Sequence, residues 1–408
     1  MSLLATISTR TAALLLGVTL SVALLPSPAA ASNDYEDYQE YEDTPASRVG
    51  RISRLEGEAA VRTGGSPDWQ TVSTNTPVFQ GDEVFAGDRS RVEIQLGGGR
   101  YLRMDERTEV VFAGLDEDEV RVEMSTGSMI VSLRELDGRD RFQIVAPAAS
   151  VDLREDGIYR VDVDEGESAR FDYDDPSDVD YGYAAAWDSF DGWSRDLDER
   201  YDDAYASSRD HVGSLGYRSD IYGLAELIQF GSWITSGQYG SCWVPRVGSG
   251  WQPYSNGFWQ YYPNYGYTWI SYDPWGWAPF HYGRWAYLNG YGWAWVPWSQ
   301  FSYGNYYWTP SQVYWCQYPN YGGYAWVPLA PSEPYVPYIA HERFGKRHRR
   351  DFVPEHLRAG RGIGVTQPGS GVRLKPVRDG GTKIRDLDGR TPVAAVPSRP
   401  KDLTPVKP

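Results

Sequence analysis

Thirteen of the chain's seventeen Trp residues lie between Trp243 and Trp326, in a stretch that keeps repeating itself. Trp-Val-Pro occurs at Trp243-Val244-Pro245, Trp295-Val296-Pro297 and Trp326-Val327-Pro328. Tyr-Gly precedes an aromatic pair at Tyr265-Gly266-Tyr267-Thr268-Trp269 and at Tyr291-Gly292-Trp293-Ala294-Trp295. Catalysis needs a few unlike residues placed once, whereas a repeated aromatic unit builds a scaffold or a contact surface. Gly and Pro recur too often in this stretch for a long helix. Aromatic and β-branched residues punctuated every eight to twelve positions by turn formers predict many short antiparallel strands. So much aromatic surface is not expected to stay solvated in a soluble chain, so a folded block is expected over 233–338.

A second vocabulary precedes it. Val92, Ile94 and Leu96 alternate with polar residues, as do Val120, Val122 and Met124, and then Val151 and Leu153. Alternation with a period of two predicts half-buried strands over Arg48–Val163. Gly97-Gly98-Gly99 reads as a turn, since it lacks the spacing and the following helix of a phosphate loop. Asp164-Glu165-Gly166 reads as another turn, without the ligand pattern of a calcium loop. Between the two blocks, Phe190, Trp193, Leu197, Tyr201 and Tyr205 form one apolar stripe at helical spacing. Ile221, Leu224 and Leu227-Ile228 suggest a second short helix leading to Phe230.

The N-terminus carries an address. Arg10 precedes an apolar run from Thr11 to Leu25, and Ala29-Ala30-Ala31 ends in an A-x-A pattern before Ser32. This pattern predicts a Sec-type signal peptide. The run of about 15 residues is short for a spanning helix, which needs roughly 20. The mature chain is therefore expected in the periplasm or secreted, with no membrane-spanning segment. Cys242 and Cys316 bracket the aromatic block, and an oxidising compartment permits a bridge between them. Such a bridge would close about 74 residues and stabilise by roughly 4 kcal/mol. The alternative is two buried thiols.

The formal charge of -16 is unevenly spread. Asn33–Asp43 carries six acids and no base, while His341 onward holds 16 Lys or Arg against 7 acids. The acidic body disfavours nucleic acid as a partner. The basic end, rich in Gly and Pro, reads as a disordered tail. The expected organisation is a signal peptide over 1–31, an acidic linker over 32–46, a β-domain over 47–173 and an acidic linker with helices over 174–232. The aromatic-repeat β-domain then occupies 233–338 and the tail 339–408. The fold class is mainly β.

The first β block resembles the FecR-like periplasmic domain. The resemblance rests on Arg54-Leu55-Glu56-Gly57-Glu58-Ala59, Gln80-Gly81-Asp82, Val92–Gly98 with Leu102–Thr108, Gly127-Ser128, and Ala146–Val163 ending in Gly157-Ile158-Tyr159-Arg160. The rest, Phe190 to about Pro328, resembles an uncharacterised exported domain often found behind it. Its signature here is Pro274-Trp275-Gly276-Trp277-Ala278-Pro279-Phe280 followed by His281-Tyr282-Gly283-Arg284-Trp285. FecR-like proteins sense a signal outside the inner membrane and pass it to a sigma factor through a cytosolic segment. Only ten residues precede the apolar run here, so the resemblance implies a periplasmic binding domain and not anti-sigma activity.

No catalytic motif stands out. The five His are 211, 281, 341, 348 and 356, and no metalloprotease, hydrolase or phosphate-loop pattern accompanies them. A non-enzymatic envelope protein that binds a protein partner or ligand is expected, without cofactor or metal. The alternatives are a glycan- or peptidoglycan-binding module that uses Trp and Tyr faces, and the remnant of a signalling receptor. Exposure discriminates, because buried rings are structural and an exposed row of rings binds. The expected binding centre is Trp275, Trp277, His281, Tyr282, Arg284 and Trp285, where tight turns gather rings around one guanidinium. The other reading of Arg284 is a cap on packed rings.

Overall fold

The computed structural model describes residues 48–174, 188–212, 221–335 and 354–365, apart from 98, 117–118, 135, 137–139, 148, 165–167, 263, 298–307, 318–323, 334 and 363. The expected signal peptide, the acidic linker, most of the basic tail and the Asp164-Glu165-Gly166 turn beyond Asp164 lie outside these residues. The protein is mainly β, as the two vocabularies implied.

The alternating block forms thirteen strands. They are β1 (Gly50–Glu56), β2 (Ala59–Arg62), β3 (Trp69–Thr71), β4 (Pro77–Val78), β5 (Glu83–Ala86), β6 (Arg91–Gln95) and β7 (Arg100–Met104). Next come β8 (Glu109–Leu115), β9 (Glu119–Leu133), β10 (Arg141–Ala146), β11 (Ala149–Leu153), β12 (Gly157–Asp164) and β13 (Ser168–Asp174). The main path runs β3-β2-β5-β8-β9-β7-β6-β1-β4, with the hairpins β10–β11 and β12–β13 attached to β9. The fifteen-residue β9 is the shared spine: its first half pairs with β8 and β10, its second with β7 and β12. The halves meet at Gly127, with φ 98°, where a Cβ would lie 2.5 Å from the Thr108 Cα. Only glycine fits that crossing. Gly97 and Gly99, both with positive φ, lie between β6 and β7, where the turn was expected.

The apolar faces of this curled sheet enclose a largely aliphatic core that includes Ile52, Val84, Ile94, Leu102, Val122 and Val131, with Phe112 among them. Over Met129–Leu133 both faces of β9 are buried. The outer face there is covered by α1 (Ser189–Val212). Asp188 caps that helix. Its Oδ1 accepts from the Phe190 and Asp191 amides, while Asp191 Oδ2 accepts from the Asp188 amide in return, a capping box. Phe190, Leu197 and Ala204 face the sheet, but Tyr205 is 52% exposed and leaves the expected stripe. Ser194, Asp198 and Ser208 are buried on the same face. The reason is polar: α1 lies over the buried Glu93 and Arg103, and polar side chains answer them.

The aromatic block begins with the one-turn α2 (Leu227–Phe230). Its hairpins are β14 (Gly231–Ser236) with β15 (Gly240–Pro245), and β16 (Gly257–Tyr262) with β17 (Gly266–Ser271). The one-turn α3 (Trp277–His281) then precedes β18 (Arg284–Leu288) with β19 (Gly292–Val296), and β20 (Val313–Gln317) with β21 (Tyr324–Pro328). The short α4 (Glu355–Arg358) and β22 (Gly364–Val365) follow.

Each hairpin sets one Trp directly opposite another: Trp233 against Trp243, Trp259 against Trp269, Trp285 against Trp295, and Trp315 against Trp326. The first three hairpins recur at an interval of 26 residues in both Trp columns. In each of these three, a Gly two positions before the first Trp lies under the indole of the second. A Cβ on Gly231 would meet Trp243 at 2.5 Å, on Gly257 Trp269 at 2.7 Å, and on Gly283 Trp295 at 2.7 Å. In the fourth hairpin Val313 takes the glycine's place, and Gly364 of β22 comes within 2.1 Å of Trp326 by the same measure. The unit is therefore Gly-x-Trp on one strand and an indole laid across the glycine from the next. Gly257→Ala is expected to cost about 1–3 kcal/mol by overpacking, read as a lowered urea midpoint. Gly248→Ala, whose Cβ meets nothing within 4 Å, should leave the midpoint unchanged.

The four hairpins turn their Trp columns inward, and one aromatic core results, including Trp243, Trp259, Trp269, Trp285, Trp295 and Trp326. Val49 and Phe79 from the first block join it. Phe79 stacks on Tyr265 at 4.3 Å between centroids. Asn75 donates to the carbonyls of Ser271 and Asp273, and Arg51 pairs with Glu226 at 2.8 Å. The two blocks keep separate sheets and share this seam. Among the described residues no helix is long and apolar enough to cross a membrane.

Candidate functional site

The six residues expected to form a binding centre do come together, and all six are buried. Trp277 lies 4.6 Å from the His281 ring, Trp275 5.7 Å from Phe280, and Phe280 5.8 Å from Trp285. Tyr282 and Trp285 are 3% and 0% exposed. Their donors are used inside the fold: Trp285 Nε1 donates to Pro279 O at 2.9 Å and Trp295 Nε1 to Tyr282 O at 2.8 Å.

Arg284 is spent on acceptors. Its Nε and Nη2 donate to Glu333 O at 3.2 Å, and its Nη1 donates to Gly283 O and to Gln312 Oε1. Burial lowers its pKa to about 10. The guanidinium thus ties β18 to the segment after β21 and to the 309–312 loop.

His281 Nδ1 lies 2.7 Å from Thr309 O. A carbonyl only accepts, so the ring carries its proton on Nδ1. Burial lowers the imidazole pKa to about 4. This lies below the ordinary value of about 6.5, so the unfolded chain takes up its proton first. The stabilisation is fully present above about pH 6.5 and is lost as pH falls toward 4. A proton-detected titration should therefore find His281 neutral at pH 5.5. Titration near 6.5 in the folded protein would place it at the surface.

Cys242 is a free, buried thiol, so the structure gives the expected bridge no support. It sits on the face opposite Trp243, among Ala286, Ala294 and Val296, and burial pushes its pKa up to about 11. The side chain of Cys316, on β20 of a different sheet, lies outside the described residues.

Two motifs of the first block are structural locks. Asp82 accepts from the Phe79 amide at 2.9 Å and the Gly64 amide at 3.1 Å, although burial raises its pKa to about 6. Thr108 Oγ1 accepts from the Ser128 amide at 3.0 Å across the Gly127 crossing. Among the described residues, no group of three or more His, Cys, Asp or Glu is placed to hold a metal ion.

An open groove of about 350 Å³ lies elsewhere, between the loop after β15, the β18–β19 turn and the segment after α4. Trp251, Gln252, Tyr287, Tyr291, Trp293 and Arg361 line it. Tyr287 and Tyr291 are 42% and 59% exposed. Trp293 is buried at the floor, 5.5 Å edge-on from Tyr287 and 4.7 Å from His356. The Arg361 Cζ lies 4.5 Å from the Tyr287 ring centroid.

The groove's third wall belongs to the stretch expected to be tail. Residues 354–362 and 364–365 are folded. Glu355 N donates to Glu333 Oε1 at 2.6 Å, His356 Nε2 donates to Trp285 O at 2.8 Å, and β22 pairs with β21. The composition of 339–408 is basic and rich in Gly, but Gly364 is there to admit an indole. The missed signal was a short apolar and turn-forming stretch, Phe352 to Val365, set inside a charged segment.

The comparisons with known proteins agree with this division. Residues 82–171 match the family model described as FecR protein, and residues 224–333 match a family of unknown function, DUF6600. No curated protein and no solved structure matches the chain. The segment 354–365 lies beyond the second match yet completes its core. The chain carries a FecR domain followed by a DUF6600 domain.

Proposed function

We propose that this is an exported, non-enzymatic protein of the cell envelope that binds a protein partner or ligand in the periplasm. The observation that carries this reading is how the rings are divided. The Trp columns are consumed as core, while Tyr287 and Tyr291 remain exposed beside an open groove. A FecR domain, the apolar run from Thr11 to Leu25 and the A-x-A pattern at Ala29–Ala31 support export. Intact-mass measurement on the periplasmic fraction tests it. The expected product begins at Ser32, and a full-length, membrane-retained product would contradict export. Cross-linking in the native envelope, followed by purification of the full chain, should bring down a partner or ligand in stoichiometric amount. Recovery of the chain alone would contradict the binding half.

A further inference from the structure

We infer that the groove between the β18–β19 turn and the 354–365 segment is a binding site for an acidic saccharide. This rests on the reading of the chain as a binding protein and names the ligand class. Three observations carry it.

The first is the kind of ring exposed. Tyr287 and Tyr291 are exposed at the rim, and the partly buried Trp251 lines the groove with them. Flat rings at the edge of an open, shallow groove suit the C–H faces of a pyranose. A drug-like apolar ligand is instead enclosed over most of its surface.

The second is charge. Arg361 is the one charged side chain among the residues that line the groove, and no acid lines it. It makes no ion pair with a described residue, and its guanidinium is held against the Tyr287 ring. A guanidinium held in place presents a fork that matches a carboxylate with two parallel hydrogen bonds. A guanidinium without an ion-pair partner among the described residues, placed beside exposed rings, is the feature that selects an anionic ligand.

The third is the backbone. Gly248, Gly250, Gly292, Gly360 and Gly362 lie along the groove walls. Their lack of side chains leaves room along the walls for a sugar ring, while the Gly248 carbonyl already accepts from the Trp251 amide and the Gly360 amide already donates to Leu357 O.

The 354–365 segment supplies the cation and is anchored by β22, His356 and Glu355, so the site exists only when that segment is docked. A Pro-rich peptide is the main rival occupant of an aromatic groove. It would use the rings but has no need of a carboxylate-matching fork.

The test uses the full mature chain, with a short oligogalacturonate, a maltooligosaccharide of equal length and a Pro-rich peptide as probes. Binding is read by titration calorimetry and by the fluorescence of Trp251 and Trp293. The acidic oligomer is expected to bind saturably, at least about tenfold more tightly than the neutral one, with affinity falling as salt rises. Arg361→Gln should bring the acidic oligomer down to the neutral level. Tyr291→Ala should weaken both saccharides about tenfold, whereas Tyr272→Ala, an equally exposed ring outside the groove, should change neither. Melting temperatures should match in all four proteins. The inference is overturned if the folded chain does not bind the acidic oligomer, if Arg361→Gln binds it undiminished, or if the peptide binds more tightly than either saccharide. Failure here with a partner still cross-linked in the envelope would leave the binding function standing. Saccharide binding by a chain that is never exported would do the reverse.

Discussion

Replacing Arg103 with Ala is expected to destabilise the protein by about 3–5 kcal/mol. Arg103 is fully buried between the FecR sheet and α1. Its Nε donates to Glu93 Oε2 at 2.9 Å, its Nη2 to Asp198 Oδ1 at 2.7 Å, and its Nη1 to Ser194 Oγ at 2.6 Å and Ser194 O at 2.9 Å. Glu93 is itself fully buried. Removing the guanidinium leaves that carboxylate in a low-dielectric interior with only the hydroxyls of Ser53 and Tyr201 to answer it. Arg103→Lys should fail almost as badly, because one ammonium cannot reach three partners in a fork. Arg103→Met with Glu93→Gln should recover part of the loss, since Asp198 keeps Arg134 at 3.0 Å. Urea unfolding measures the stabilities. Limited trypsin digestion should show early cutting at Arg195 and Arg200 of α1 in the single variant and not in the double one.

Trp269→Ala should cost a similar amount, about 3–5 kcal/mol. Its ring is 0% exposed and lies 5.1 Å from Trp259, 5.5 Å from Tyr254 and 6.2 Å from Phe280. The cavity left would open at the meeting point of two hairpins, with rigid rings on every side and no flexible chain to fill it. Trp269→Phe should recover part of the loss. Tyr291→Ala, at the surface, should stay within about 0.5 kcal/mol of the parent. Thermal unfolding of the three variants side by side checks this. Equal melting temperatures for Trp269→Ala and Tyr291→Ala would mean that the indole columns do not form the core.

The contrast between these two rings shows what the chain announced and what it concealed. Trp243, Trp295 and Trp326 carry the visible Trp-Val-Pro signature, and each is the second Trp of a hairpin. The same position in the second hairpin reads Trp269-Ile270-Ser271, which hides the 26-residue interval from a search for Trp-Val-Pro. The better signal was Gly-x-Trp at Gly231, Gly257 and Gly283, because the glycine is fixed by the indole that crosses it. Inside and outside were harder to read. Period-2 alternation separates the faces in the FecR sheet, where Val and Ile oppose charged residues. It loses contrast in a hairpin such as Arg284–Val296, where aromatic and small apolar residues occupy both faces. There one face meets the Trp core and the other the small cluster around Cys242. The residues from Trp275 to Trp285 were rightly gathered by their turns, but nothing local said that the gathering would be sealed. The groove was illegible for a different reason. Trp251, Tyr287 and Arg361 come from three distant segments, and the last of them had the composition of a tail.

The central claim is that the Trp repeat is a core, not a platform, and indole hydrogen exchange tests it most directly. In the folded full chain, the indole N–H groups of Trp243, Trp285, Trp295 and Trp326 donate to Leu227 O, Pro279 O, Tyr282 O and Tyr254 O. These four should exchange only with global unfolding, so their protection should fall in step with stability when urea is added. The Trp193 indole, which donates to Glu56 Oε1 at the surface, should exchange sooner. Rapid exchange of the four in folded protein, at the rate of a solvated indole, would contradict the account.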